Sequence, residues 1–199
     1  TVAWQRAGEK PVYALDGGVY SASAAVNWAR SLALFDTLER LNALEGEPAI
    51  DGGLAFVPAL SGLACPHWDR SARGAWLGLS INHTSDDMMK ALLEGVAFRA
   101  AEVIAAMQAR QAAAGPLSVD GGMSNNPYFS QFLADILGRE VIIPGSGELT
   151  AIGTANLVSE TLGKPLAMAG SGKNFTPRKD RRESMEQFSK AVKLARSWP

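Results

Sequence analysis

Along the 199-residue chain, short apolar runs alternate with longer stretches whose apolar positions recur every three or four residues. That alternation of periods predicts an α/β layered fold. Residues 1–4 and 11–15 read as two strands joined at Gly8-Glu9-Lys10, and Asp16-Gly17-Gly18 breaks the second. Residues 21–44, rich in Ala and Leu, read as one helix that closes at Gly46 and Pro48. A short buried strand over 54–57 is stopped by Pro58. Residues 58–82 keep neither period, and read as an excursion packed by its own tryptophans, with short strands.

The next helix is marked at both ends. Thr84 and Ser85 suit its N-cap, Asp86 and Asp87 suit the positive end of its dipole, and Gly115-Pro116 stops it. Leu92, Val96, Ala100, Val103 and Met107 share one of its faces. A strand over 117–119 follows, broken by Asp120-Gly121-Gly122. Asn126-Pro127 then opens a helix as N-cap and first-turn proline, with a core stripe of Phe129, Phe132, Leu133, Ile136 and Leu137, ended by Gly138. Residues 141–143 read as a strand, and 149–162 as a helix whose small residues Ala151, Gly153 and Ala155 allow close approach. Past Lys164-Pro165 the chain reads as loops until a last amphipathic helix over 180–196.

Composition narrows the class. A hydrophobic share of 47% and a charged share of 20% are those of a globular domain with a sizeable core. The net charge of −1 gives no basic excess to drive binding to nucleic acid or an anionic membrane. Cys65 is the single cysteine and His67 and His83 the two histidines, which excludes internal disulfides, cysteine-rich zinc sites and a multi-histidine metal centre. No apolar run has the length of a membrane span and no signal-peptide pattern opens the chain, so the expectation is a reduced, cytoplasmic protein. Thr1-Val2-Ala3-Trp4 reads as a strand already under way, as if cut from something longer.

The segment with the clearest chemistry is the strand, Asp120-Gly121-Gly122, and the helix opened by Asn126-Pro127. Paired glycines after a buried strand let backbone approach a ligand, and the helix start behind them favours a phosphate. The same shape serves as an ordinary tight βα turn, and the turn alone does not separate the two. Asn126 divides similarly between a helix cap and an amide offered to a nucleotide. Arg73 suits a phosphate or carboxylate, but equally a surface pair with Asp69 or a turn cap. His67 reads as structural, Cys65 as a small buried hydrophobe, and Trp28, Trp76 and Phe129 as core. The run Arg178-Lys179-Asp180-Arg181-Arg182-Glu183 is internally compensated and reads as a solvated helix entry. No Ser/His/Asp set, metal-ligand cluster or isolated carboxylate pair is present.

In order along the chain, Tyr13-Ala14-Leu15-Asp16-Gly17-Gly18, Ala25-Val26-Asn27-Trp28, Phe56-Val57-Pro58-Ala59-Leu60-Ser61-Gly62, Cys65-Pro66-His67-Trp68-Asp69 and Ala72-Arg73-Gly74 form a co-linear series. It continues through Leu93-Glu94-Gly95-Val96-Ala97-Phe98, Val119-Asp120-Gly121-Gly122, Gln131-Phe132-Leu133-Ala134-Asp135 and Glu148-Leu149-Thr150-Ala151-Ile152-Gly153. The series resembles the C-terminal domain of the FGGY carbohydrate kinases, nearest to those acting on glycerol, and covers nearly the whole chain.

The resemblance implies an actin-like (ribonuclease H-like) ATPase fold, the C-terminal half of a two-domain kinase with ATP and substrate in the cleft between the halves. Residues 1–165 would be the nucleotide-side domain, and 166–199 a loop and helix packing on it. Gly121 and Gly122 match glycines that lie against the phosphates, and Asn126 matches an asparagine that contacts the nucleotide. Asn27 stands where glycerol kinases often carry Gln near the phosphates. Ser23 stands where they usually carry Gly, which puts a side chain into that backbone contact.

The family's catalytic aspartate, its Asp-x-Gly loop, its Gly-Thr-Gly turn and most substrate contacts would lie before Thr1. No catalytic residue is therefore expected in this chain, and it is expected to be inactive alone. The implied cofactors are ATP and Mg²⁺. The implied partners are a polyol or sugar, glycerol foremost, and an N-terminal kinase domain. A xylulose or erythritol kinase, or a non-catalytic nucleotide-binding regulatory domain, are the alternatives. An apolar cleft face would also favour homo-oligomers of the isolated piece.

Overall fold

The computed structural model describes residues 1–111, 115–146, 148–164 and 172–198. Strands β1 (Val2–Trp4) and β2 (Val12–Tyr13) form an antiparallel hairpin with Val2 opposite Tyr13. Its side chains stay largely in solvent. Helix α1 (Ala22–Ser31) lays Ala25, Val26 and Ala29 on the core.

The single helix expected over 21–44 breaks in two. Ala33 adopts a left-handed φ of 58°. The Ala33 N–H donates to the Arg30 carbonyl and the Leu34 N–H to the Ala29 carbonyl, the paired bonds that close a helix C-terminus. The turn buries Phe35, and Thr37 then caps α2 (Leu38–Asn42) by accepting from the Arg40 N–H. Burial of one aromatic ring outweighs the helix propensity of the surrounding Ala and Leu.

After a short 3₁₀ turn (Ala49–Gly52), β3 (Ala55–Val57) is fully buried and pairs antiparallel with β4 (Ala75–Leu77). Phe56 faces Trp76 across this pair at 4.3 Å, and Trp28 of α1 stacks on Trp76 at 5.5 Å. Between the strands the excursion is fastened by polar ties. Buried Arg99 donates to the Cys65 carbonyl at 2.7 Å and pairs with Glu102, which also takes His67 Nε2 at 3.2 Å. His67 is thus structural, and Cys65 is half-buried. Arg73 caps the Arg70, Ser71 and Ala72 carbonyls of its own turn, while Asp69 pairs instead with Arg196 at 2.8 Å. Hydrogen bonds from Arg196 and Ser71 hold the Asp69 carboxyl well below its ordinary range.

Helix α3 (Ser85–Gln108) runs 24 residues from a capping box between Thr84 and Asp87. It packs on β3 and on α4 (Pro127–Leu137), and α6 (Arg182–Ser197) closes over it with Phe188, Ala191, Val192 and Ala195. Phe98 of α3 stacks on Phe188 at 4.5 Å and meets Phe132 of α4 edge-on at 5.3 Å.

The third sheet orders β5 (Leu117–Ser118), β6 (Val141–Ile143) and β7 (Lys173–Phe175), with β5 and β6 parallel and β7 antiparallel to β6. Strand β7 lies in the stretch read as loop, and only its pairing with β6 makes it a strand. Helix α5 (Leu149–Thr161) buries Ser159 and leaves Leu157 and Val158 in solvent. The domain boundary expected at residue 165 falls outside the described residues.

The charge run departs from the sequence reading as well. Arg181 is buried, 6% exposed, with its guanidinium 2.6 Å from Asp51, and Lys179 reaches the same carboxylate at 3.0 Å. Burial works to raise the Asp51 carboxyl, but the hydrogen bonds and charges of these two cations outweigh it and hold the group below its usual value. Among the described residues no helix is long and apolar enough to cross a membrane.

Gly95 decides how closely α3 meets β3, because a Cβ built there would stand 2.2 Å from the Phe56 carbonyl oxygen. Helix propensity alone favours Ala at this position by about 1 kcal/mol. Gly95→Ala is nevertheless expected to destabilise the fold by about 1–3 kcal/mol through overpacking. Urea unfolding checks this, and a stabilised variant would disprove the close approach.

Candidate functional site

Parallel strands β5 and β6 end on the same edge of their sheet, where α/β folds bind ligands. The chain leaves β5 through Val119-Asp120-Gly121-Gly122 and leaves β6 through Pro144-Gly145. A cavity of about 230 Å³ opens there, lined among others by Asp120, Ser124, Asn125, Gly145 and Lys173. Asp120 accepts a long hydrogen bond, 3.4 Å, from the Leu149 N–H at the start of α5.

Gly121 holds φ 96° and ψ 171°, a conformation that side chains resist. Gly122 starts a 3₁₀ turn through Asn125. Both glycines are exposed, and a Cβ built on either meets no atom within 4 Å. The turn is therefore open toward solvent, with room for a ligand group against its backbone. It is rigid on its inner side. Ser124 Oγ donates to the Gly121 carbonyl at 2.7 Å, and Ser130 Oγ of α4 donates to the Ser124 carbonyl at 3.0 Å.

Asn126 caps α4, its Oδ1 accepting from the Phe129 N–H at 2.8 Å. Its Nδ2 donates to the Leu41 carbonyl at 2.9 Å and to Asn42 Oδ1 at 3.2 Å, and the residue is 2% exposed. Of the two roles open to it in the sequence, the structure displays the cap. A direct nucleotide contact requires these inward bonds to be exchanged. Ser23 and Asn27 lie four positions apart on the exposed face of α1, opposite Ala25, Val26 and Ala29. Among the described residues no hydrogen bond joins them to the Gly121–Asn126 turn.

The sequence reading missed a polar centre just behind this turn. Glu94, in the middle of α3, is 1% exposed and accepts from the Ala49 N–H at 2.7 Å, from the Ile50 N–H at 2.9 Å and from the Tyr128 hydroxyl of α4. Burial pushes the Glu94 carboxyl up, and the Tyr128 and backbone donors pull it part of the way back. Burial and the Glu94 charge together raise the Tyr128 phenol, so it remains a protonated donor. The available signal was one carboxylate inside the apolar run from Ala91 to Phe98.

No group of three His, Cys, Asp or Glu side chains among the described residues could hold a metal ion. Among the described residues, Asp120 is the only carboxylate lining the cavity. That donor set does not amount to a protein cage for Mg²⁺, which characteristically relies on nucleotide phosphates and one or two carboxylates.

The model of the C-terminal domain of the FGGY family of carbohydrate kinases matches residues 2–159. The chain is 40% identical over its whole length to glycerol kinases of Alkalilimnicola ehrlichii and Thermus brockianus. It spans 41% of the length of the first and 42% of the second. Among solved structures, Plasmodium falciparum glycerol kinase with ADP superposes at a TM-score of 0.82 and 27% identity, over 98% of this chain and 41% of that one. The ligand-bound xylulose kinase of Lactobacillus acidophilus shares the fold, at a TM-score of 0.70 and 23% identity over 90% of this chain. The fold is accordingly the actin-like C-terminal half of these kinases, and the chain belongs to the FGGY family of carbohydrate kinases.

Proposed function

We propose that this chain is the nucleotide-holding half of an ATP-dependent polyol kinase, and that glycerol is the substrate of the complete protein. The observation that carries the reading is the open Gly121–Gly122 turn at the carboxyl edge of parallel strands, with the start of α4 behind it. Exposed backbone there suits a polyphosphate, which needs donors at close range and no side chain in the way. Whole-length likeness to glycerol kinases, and a superposing relative solved with ADP, support the choice of nucleotide and substrate.

In this reading Gly121 and Gly122 lie against the phosphates, and Asn126 fixes the turn by capping α4, its amide reaching the nucleotide only if it lets go of α2. Ser23 and Asn27 present the exposed face of α1 to the nucleotide from another element. The substrate hydroxyl loses its proton to an aspartate of the N-terminal half, and its oxygen attacks the γ-phosphorus as ADP leaves. Phosphoryl transfer depends on positioning and on electrostatic stabilisation of the transferring group. The described residues offer Mg²⁺ no cage of their own, so nucleotide phosphates and groups outside this chain would hold it, where it would supply charge stabilisation to the phosphates. Closure of the two halves excludes water and limits ATP hydrolysis.

Two outcomes test this. Gly122→Val in the complete protein is expected to weaken ADP binding at least tenfold, about 1.4 kcal/mol. The unfolding midpoint should stay put, since a Cβ at Gly122 meets open space. Unchanged affinity in a calorimetric titration would reject the phosphate assignment. Purified alone, this chain is expected to release no ADP from ATP in a glycerol-dependent way, and measurable release in a coupled assay would contradict the division of labour.

A further inference from the structure

We propose that the buried Glu94–Tyr128 hydrogen bond is a positioning device that sets where the Gly121–Asn126 turn stands. Glu94 and Tyr128 touch no ligand themselves. For its ligand readout the inference rests on the nucleotide reading above.

A carboxylate buried this deeply in α3 is costly unless its oxygens are met by donors, and a Leu would fill the same space without that cost. The donors come from two separate elements, the 3₁₀ turn at Ala49–Ile50 and the first turn of α4. Asn126 holds the same stretch from its other end, through the Leu41 carbonyl and Asn42. The segment from Leu41 to Ile50 is thereby pinned twice, and both pins converge on the start of α4.

From Tyr128 the path to the open turn is short, two residues along α4 to Ser130 and then through side-chain hydrogen bonds. Ser130 of the same helix holds the Ser124 carbonyl, and Ser124 holds the Gly121 carbonyl. Apolar packing would keep α4 near α3 but leave it free to slide. Directional bonds to Glu94 fix its register, and with it the position of the glycine backbone. Asp51 and Arg181 brace the outer side, with the guanidinium 5.5 Å from the centre of the Phe132 ring.

The test uses Tyr128→Phe, Glu94→Gln and the double variant in the complete protein, with two readouts. One is the ADP dissociation constant by calorimetry. The other is amide hydrogen exchange across residues 122–126 without nucleotide. Tyr128→Phe removes one hydroxyl with little change of shape, so it remains informative even where Glu94→Gln fails to fold. It is expected to raise the ADP dissociation constant about tenfold, roughly 1.4 kcal/mol, and to speed exchange across the turn. The double variant should lose less than the two single variants summed, because Glu94→Gln weakens the acceptor that the Tyr128 hydroxyl uses while also disturbing the Ile50 N–H bond.

A lowered melting point with affinity within twofold and exchange unchanged would make the pair merely structural and overturn the proposal. Additive losses in the double variant would overturn it as well. Should the wild-type protein fail to bind ADP while Tyr128→Phe still speeds exchange at 122–126, the nucleotide reading falls and the positioning role stands.

Discussion

Helix α3 is buried from Met89 to Val103 on nearly every side, and the rest of the molecule is arranged to cover it. A helix apolar all round has to be met by a different neighbour on each face. Strand β3 takes the face carrying Gly95, where the missing side chain brings backbone against backbone. Phe132 and Phe188 take Phe98 from α4 and α6. The two charged residues sunk in the same stretch fasten what packing alone would leave loose. Arg99 holds the excursion through the Cys65 carbonyl, and Glu94 holds the 3₁₀ turn and α4.

The parts of this fold that were legible in the sequence are those decided by local chemistry. Thr84 and Asp87 cap α3, Asn126-Pro127 opens α4, and Gly138 closes it at a φ of 58°. Each needs only its own neighbours. The parts that were not legible depend on distant residues. Ala33 turns left-handed because Phe35 must reach the core, with no Gly or Pro to announce the break. Lys173-Asn174-Phe175 becomes a strand because β6 offers an edge. Arg181 leaves solvent because Asp51, 130 positions away, meets it.

The candidate site divides along the same line. Gly121 and Gly122 could be read as a turn that permits close approach, because the absence of Cβ is a property of the residues. The direction of the Asn126 amide could not, since its partner Leu41 is 85 positions away in sequence. Glu94 behaved likewise, reading as one charge in an apolar run until Ala49, Ile50 and Tyr128 surrounded it. Turn chemistry thus marks the candidate turn, and tertiary contacts decide which side chains face it.

What the turn offers is exposed backbone on a stiff support, and that suits holding a nucleotide more than performing chemistry. Around the cavity the described residues bring one carboxylate, Asp120, and no paired acid and base. A kinase reading therefore assigns the proton transfer to another domain and the phosphate contacts to this one. The most direct measurement is a titration of the complete protein with ADP, followed by backbone amide chemical shifts. The account predicts that the largest shifts fall at Gly121 and Gly122 and extend through the turn to Asn126. Shifts confined to another face, with those amides unmoved, would contradict it.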